Sequence, residues 1–243
     1  MSPTAIPGNL ILKNEMVEAD PFFNNVSLLL HGDGANGSTT IVDSSPSPKT
    51  GIAVGDAQIS TAQSKFGGSS IVFDKVDDRI TYASSNDFAF GTGDFTIEFW
   101  AYSRDVSGST QRGFCQISSV TGGLAPTGDG VAIHHGIGTG GIRAAIGPSD
   151  RLFSSTGLLT TNTWFHIALT RSGTTAFLFV DGVIVDSITN TTNLSQNNFV
   201  LGGYFSTSFL YDGYIDDLRI TKGVARYTAN FTPPTAPFPE VLG

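Results

Sequence analysis

Apolar and polar residues alternate along much of the chain with the period of two that is typical of β-strands. The segment 95–102 places Phe95, Ile97 and Phe99 on one face, and the segment 164–171 repeats the pattern. A helical period never persists for three turns. Many short strands separated by turn residues are typical of an antiparallel sandwich. Further strands are predicted at residues 26–30, 70–73, 79–82, 175–180, 183–187, 199–201 and 214–220.

The inward positions of these strands predict one core of large apolar side chains. The dipeptide Asp181-Gly182 separates two of the strands and favours a two-residue hairpin turn, because glycine tolerates a positive φ. The alternation fixes which face of each strand is buried. The predicted core residues are Phe73, Ile97, Phe99, Ile167, Leu169, Leu218 and Ile220.

Both ends of the chain differ in composition from the strand-rich middle. Leu10, Ile11 and Leu12 form a cluster too small to fold alone, and exposed apolar surface costs about 25 cal/mol per Å². We therefore expect these three residues to mediate assembly by docking on another copy of the chain or on another protein. The predicted division is an N-terminal arm at 1–25, a sandwich at 26–231 and a proline-rich strap at 232–243.

Composition and charge exclude several classes of partner. Charged residues make up 14% of the chain and the formal net charge is −8, so a phosphate backbone would be repelled and nucleic-acid binding is not expected. No apolar run approaches the roughly 20 residues that span a membrane. No signal peptide is visible, which predicts synthesis in the cytoplasm and release within a particle. The single cysteine, Cys115, has no partner for an internal disulfide.

Several short motifs, taken in order and spacing, give the chain a family resemblance. It resembles the laminin-G-like jelly rolls of the concanavalin A-like lectin/glucanase superfamily over roughly residues 26 to 239. The resemblance implies an all-β fold, in which two antiparallel sheets form a jelly-roll sandwich. The motifs are residues 28–34 (LLLHGDG), 66–73 (FGGSSIVF), 93–100 (GDFTIEFW), 164–171 (WFHIALTR) and 213–220 (GYIDDLRI).

Two details of the motifs are similar to one group of domains within this superfamily. The His-Gly-Asp-Gly start at 31–34 and the Asn-Phe-Thr-Pro-Pro tail at 230–234 are similar to copies of this domain in structural proteins of tailed bacteriophages. The resemblance implies a component of the virion, displayed on the capsid or associated with the tail or its fibres. Residues 1–25 lie outside it.

An enzyme of this superfamily would need a pair of catalytic carboxylates at a suitable spacing in the sequence. The glucanases carry them at alternate positions of one strand, about 5 Å apart. The strand 95–102 offers only Glu98, and the pairs Asp77-Asp78 and Asp216-Asp217 are adjacent, so a regular backbone points their members to opposite faces. We therefore expect no enzymatic activity.

Calcium is the metal that the sequence favours, because it binds aspartate and backbone oxygens. Asp33, Asp43 and Asp216 lie near turns or strand ends. The resemblance implies that the first and last strands run close together, where some relatives bind a structural calcium ion. The alternative is that these aspartates cap turns through hydrogen bonds to the nearby backbone.

A sugar site would combine aromatic platforms with polar side chains. The candidates in this sequence are Trp100, Tyr102, Tyr204 and Tyr211, with Asn197 as a hydrogen-bonding group. The alternative is that these aromatic residues belong to the core, where most aromatic residues of a sandwich lie.

The sequence as a whole predicts a non-enzymatic virion structural protein of a tailed bacteriophage. Its expected role is host-surface adhesion through a cell-surface glycan, or stabilisation of the particle. We expect a homo-oligomer that contacts other virion proteins, or its own copies, through the N-terminal arm. The alternative is a carbohydrate-binding module or a domain of a polysaccharide-active enzyme.

Overall fold

The computed structural model describes residues 19–106, 111–118, 128–135, 140–205 and 209–241. The described residues form fifteen strands and two short 3₁₀ turns, Phe23–Asn25 and Asn86–Phe88. The strands are β1 (Val26–Leu30), β2 (Gly51–Val54), β3 (Gln58–Ser60), β4 (Ser70–Asp74), β5 (Arg79–Tyr82), β6 (Phe95–Ser103), β7 (Arg112–Ser118), β8 (Val131–His135), β9 (Ile142–Ile146), β10 (Asp150–Phe153), β11 (Trp164–Ser172), β12 (Thr175–Val180), β13 (Val183–Thr189), β14 (Asn198–Leu201) and β15 (Asp212–Lys222).

The strands form two antiparallel sheets that pack face to face, as predicted. The eight-stranded sheet has the order β13-β12-β11-β6-β15-β4-β3, with β1 paired to the second half of β15. The seven-stranded sheet has the order β10-β9-β8-β7-β14-β5-β2. The first and last strands are therefore neighbours. No helix in the described ranges has the length and apolar character that crossing a membrane requires.

The core between the sheets contains the side chains that alternation placed there. The seven predicted core residues are all buried in one cluster, so this prediction is confirmed. The Asp181-Gly182 turn joins β12 to β13 with φ of 47° and 77°, the two positive values that a type I′ hairpin requires. The period of two therefore located the core, and the Asp-Gly dipeptide located a hairpin.

A bulge interrupts β15 at Asp217, which has a φ of 47°. The residues before the bulge, Asp212–Ile215, pair with β4, and those after it, from Leu218, pair with β1. The bulge therefore lets one long strand hold two neighbours on the same edge.

The C-terminal segment, residues 223–241, crosses the outer face of the eight-stranded sheet. Tyr227 and Phe231 stack 3.6 Å apart, and Phe238 lies 3.8 Å from the Arg219 guanidinium. The backbone N–H of Asp20 donates to the Val241 carbonyl at 2.8 Å. Residues 19–25, assigned by sequence to the arm, thus contact the sandwich, whereas Leu10, Ile11 and Leu12 lie outside the described residues.

Candidate functional site

The outer face of the seven-stranded sheet carries a row of functional side chains. The strand register pairs His134 of β8 with Arg143 of β9, and Arg143 with Phe153 of β10. Directly paired residues of antiparallel strands point to the same face. Their sequence neighbours Ile133, Ile142 and Leu152 are buried in the core, so this row points away from the core.

A second row on this face supports an aromatic cluster. Ala132 and Ala145 are paired, and Tyr204 packs on both together with Phe209. Gly113 makes this packing possible, because a Cβ there would lie 2.7 Å from the Tyr204 ring. The buried Tyr204 hydroxyl has no hydrogen-bond partner among the described residues. Burial raises the pKa of Tyr204 well above its usual value, so the ring is neutral.

Beside these rows lies an open cavity of about 230 Å³, which we call the outer-face pocket. Phe153 is 52% exposed, and the Arg143 guanidinium lies 5.0 Å from its ring centre. The Gln111 side-chain oxygen is buried and accepts no hydrogen bond from the described residues. The pocket is lined by Gln111, Gly141, Arg143, Phe153, Ser154 and Thr156.

The positive charge of the pocket comes from Arg143. Burial lowers the pKa of His134 to about 4, and the Arg143 charge acts in the same direction, so His134 is neutral at neutral pH. Arg143 forms no ion pair and no hydrogen bond with the described residues, and its buried Nε has no acceptor. The pocket therefore offers a flat apolar ring, a free guanidinium and an unpaired amide oxygen, which suits binding rather than proton transfer.

The five predicted ligand residues do not form one site. Only Tyr204 lies beside the outer-face pocket. Tyr211 was a wrong choice of platform, because it is fully buried in the core and its hydroxyl is hydrogen-bonded to Ser103 at 3.0 Å. Asn197 lies half-buried just before β14, and its backbone carbonyl accepts from Ser85.

The other two predicted aromatic residues lie on the eight-stranded sheet. Trp100 is buried, with the Lys65 ammonium 3.7 Å from its ring and Phe66 against its edge. Tyr102 packs between Trp164 and Tyr214. Lys65 and Phe66 cover Trp100, so its ring has no open face for a sugar.

Glu98 lies on β6, as Trp100 and Tyr102 do, and its side chain is buried away from solvent. Its Oε1 accepts from Arg219 Nε at 3.0 Å and Nη2 at 2.8 Å, and its Oε2 accepts from the Tyr227 hydroxyl at 2.8 Å. Burial alone would raise the pKa of Glu98, but the Arg219 charge and the His166 imidazole, whose Nε2 lies 3.4 Å from Oε2, lower it to about 2. With an exposure of 0%, this carboxylate cannot reach a substrate.

The predicted calcium ligands are not brought together in one coordination sphere. Asp43 accepts hydrogen bonds from the backbone N–H groups of Leu29, Ser45 and Lys49, the arrangement of a turn cap. Asp33 is exposed. Calcium at these residues stays a prediction.

Asp216, the third predicted calcium ligand, is fully buried at the bulge of β15. Its Oδ2 accepts from the backbone N–H groups of Lys65 and Phe66, whereas its Oδ1 has no partner among the described residues. Burial raises its pKa to about 7. Asp216 therefore resembles a buried structural carboxyl more than an open metal ligand.

An acidic cluster that the sequence did not predict lies at the turns after β2 and β4. Carboxylate oxygens of Asp56, Asp74, Asp77 and Asp78 lie within 4.8 Å of one another and could hold a metal ion. Asp77 and Asp78 share this cluster, contrary to the expectation that adjacent aspartates point apart. The expectation assumed a regular strand, whereas these residues follow Lys75, which has a φ of 66°.

Comparison with known proteins supports the fold. A family model of the laminin-G type, described as the concanavalin A-like lectin/glucanases superfamily, matches residues 76–226. The chain belongs to this family, and it is a jelly-roll domain of the lectin-like kind. No curated protein sequence matches the chain significantly.

The similar solved structures are distant in sequence. Domain 4 of AbnA, a GH43 extracellular arabinanase from Geobacillus stearothermophilus solved with arabinotriose, has a TM-score of 0.63 at 18% identity, over 83% of this chain and 94% of that one. The botulinum neurotoxin serotype D binding domain has a TM-score of 0.63 at 16% identity, over 85% of this chain and 50% of that one. The chain thus spans about half of the toxin domain. These likenesses establish the fold alone.

Proposed function

We propose that the chain is a non-catalytic glycan-binding module, carried on the virion of a tailed bacteriophage and used for adhesion to the host surface. The observation that carries the binding proposal is the outer-face pocket, where Phe153 is exposed and Arg143 and Gln111 have polar atoms without partners among the described residues. A sugar ring presents an apolar C–H face and several hydroxyl groups. Phe153 would contact that face, and the two polar side chains would bind the hydroxyls.

The size of the pocket suits one part of a longer chain. Its volume of about 230 Å³ is below the roughly 300–1,000 Å³ of pockets that enclose a drug-sized ligand. One sugar residue would sit in the pocket while its neighbours extend along the exposed residues around Phe153. Two similar structures come from proteins that are described with glycans: the arabinanase domain was solved with arabinotriose, and cell entry of botulinum neurotoxin type C depends on interaction with two ganglioside molecules.

The non-catalytic part of the proposal is supported by two buried carboxylates whose oxygens are occupied by hydrogen bonds. Glu98 is sealed beneath the C-terminal segment by Arg219 and Tyr227. In the acidic cluster, Asp78 is buried and both its oxygens accept backbone N–H groups, from Asp56 and Asp74. Glycoside hydrolysis needs one carboxyl that donates a proton to the substrate and a second that acts as nucleophile or base. Neither Glu98 nor Asp78 presents a free oxygen for that role.

The virion context rests on the sequence. The His-Gly-Asp-Gly and Asn-Phe-Thr-Pro-Pro segments resemble copies of this domain in phage structural proteins. Leu10, Ile11 and Leu12 would anchor the module to another virion protein or to a second copy. Replacing these three residues with serine should leave the isolated domain folded and remove the protein from purified particles, as followed by quantitative immunoblotting.

Glycan binding is tested by replacing Phe153 with alanine. Val183 is the matched control, since it is also 52% exposed and lies on β13 of the other sheet. On a panel of bacterial surface polysaccharides, Phe153→Ala should weaken binding at least tenfold, about 1.4 kcal/mol, and Val183→Ala should change it less than twofold. Equal binding by both variants would show that the pocket is not the site, and hydrolysis of any polysaccharide would overturn the non-catalytic proposal.

A further inference from the structure

The arginines of this protein differ in how their guanidinium groups are used. Seven of the eight donate hydrogen bonds to protein oxygens in the described residues. Within the described ranges Arg143 donates none, and its guanidinium lies 5.0 Å from the Phe153 ring centre. A protein with a formal net charge of −8 has carboxylates in excess, yet no carboxylate that the structure describes pairs with this guanidinium. Arg143 is therefore available to a ligand.

We infer that the outer-face pocket selects saccharides that carry a carboxylate, such as uronate or sialate residues, and this inference rests on the proposed glycan-binding function. A guanidinium binds a carboxylate through two parallel hydrogen bonds, with a geometry that neutral hydroxyls do not reproduce. The buried Nε of Arg143 lacks an acceptor among the described residues, and such a bidentate contact would supply one.

The rest of the pocket distinguishes an acidic sugar from other anions. Gln111 is 4% exposed and its side-chain oxygen has no donor among the described residues, so a ligand that brings a hydroxyl would satisfy it. The exposed ring of Phe153 matches the apolar face of a pyranose. An acidic peptide side chain offers the charge but neither the hydroxyl nor the ring face.

The charged groups near the pocket are compatible with an anion. Arg151 lies on the same face, two residues before Phe153. A described carboxylate beside Phe153 is that of Asp186, whose oxygens accept from the backbone N–H groups of Phe153 and Ser187. These two hydrogen bonds hold the carboxylate on the backbone, and Arg143 forms no ion pair with it or with any other carboxylate that the structure describes.

The experiment compares matched acidic and neutral probes by isothermal titration calorimetry. One pair is hexagalacturonate and its methyl ester, and the other is 3′-sialyllactose and lactose. The wild-type protein should bind at least one acidic probe at least tenfold more tightly than its neutral partner. Raising NaCl from 50 to 300 mM should reduce this difference, because salt screens the charge.

Variants assign the preference to Arg143. Arg143→Gln should weaken binding of the acidic probe so far that its preference over the neutral probe falls below twofold, with a smaller loss for the neutral probe, while Arg143→Lys should restore part of the preference. The matched control is Arg79→Gln, since Arg79 lies on the outer face of the same sheet, four strands and roughly 19 Å away. This control should bind like the wild-type protein.

The possible outcomes separate this inference from the proposed function. Equal binding of acidic and neutral probes, lost on Phe153→Ala, would overturn the acidic preference and leave the glycan-binding proposal standing. If the protein binds neither pair of probes, the inference is overturned. Binding to the polysaccharide panel then decides whether the proposed glycan-binding function holds. Hexaglutamate binding as tight as that of the acidic sugars, and equally sensitive to Arg143→Gln, would show that the pocket recognises carboxylates without requiring a sugar.

Discussion

Replacing Glu98 with glutamine tests whether the buried ion pair fixes the C-terminal segment. The folded state lowers the pKa of Glu98 from 4.5 to about 2, and this difference corresponds to about 3 kcal/mol of stability. Losing one partner of a buried pair typically costs about 3–5 kcal/mol, because the other charge is left uncompensated. We expect Glu98→Gln to lower the free energy of unfolding by about 3 kcal/mol at pH 7, a large share of the roughly 5–15 kcal/mol of a domain.

The effect of Glu98→Gln on the free energy of unfolding should also depend on pH. The pKa is lower in the folded state, so the stabilisation is complete above pH 4.5 and is lost as the pH falls towards 2. The difference between the wild type and Glu98→Gln should therefore shrink by about 2 kcal/mol between pH 7 and pH 3. Urea unfolding followed by circular dichroism measures both values. A loss below about 1 kcal/mol at pH 7, or one that does not change with pH, would refute the reasoning.

Three further predictions concern other parts of the molecule. Phe238→Ala should lower stability by about 2–4 kcal/mol in thermal unfolding, because this buried ring packs on Arg219. Burial, together with Asp56 and Asp74, raises the pKa of Asp78 to about 7, so its contribution to stability is complete below pH 3.8 and is lost as the pH rises through 7. With a chelator present, Asp56→Asn should reduce this loss of stability at high pH. If the acidic cluster binds calcium, adding calcium should restore the stability of the wild-type protein at pH 8. Deleting residues 1–18 should leave the melting temperature unchanged. Deleting residues 1–25 should lower the melting temperature by several degrees, because this longer deletion removes Asp20, which accepts hydrogen bonds from two arginines.

The strands at 95–102 and 164–171 were found as β6 and β11, because large apolar residues alternate with smaller or more polar ones in both segments. Strands β2, β3 and β7 to β10 were not predicted. In β8, Val-Ala-Ile-His-His, an apolar alanine stands between two large apolar residues, so the sequence shows no clear polar face. Periodicity therefore failed at the part of the sheet that carries the pocket.

The site could be predicted less well than the fold, because exposure depends on pairing between distant strands. Tyr211 and Phe153 are both aromatic residues, and only the packing of the two sheets decides that Tyr211 is buried and Phe153 exposed. A local signal for Arg143 did exist. The segment 142–146, Ile-Arg-Ala-Ala-Ile, alternates in a way that turns the arginine away from Ile142 and Ala144, which are buried in the core.

The acidic cluster could not be predicted from local sequence. Asp56 lies on the connection from β2 to β3 and Asp78 on the connection from β4 to β5, and each connection passes from one sheet to the other. The two connections come together because β2 pairs with β5 and β3 pairs with β4, and a pattern within one segment contains no information about that pairing.

Arg219 and Arg143 differ in the surroundings that the fold gives to their guanidinium groups. Arg219 is enclosed by Glu98, Asp20 and Phe238, which come from three distant parts of the chain. Buried ion pairs add little stability compared with apolar packing, but an unpaired charge there is costly, so the network specifies where the C-terminal segment lies. That segment covers the outer face of the eight-stranded sheet. Arg143, on the opposite sheet, has no such partner among the described residues, and we propose that its donors bind a ligand. A charge-dependent ligand should therefore bind to the sheet that the C-terminal segment does not cover.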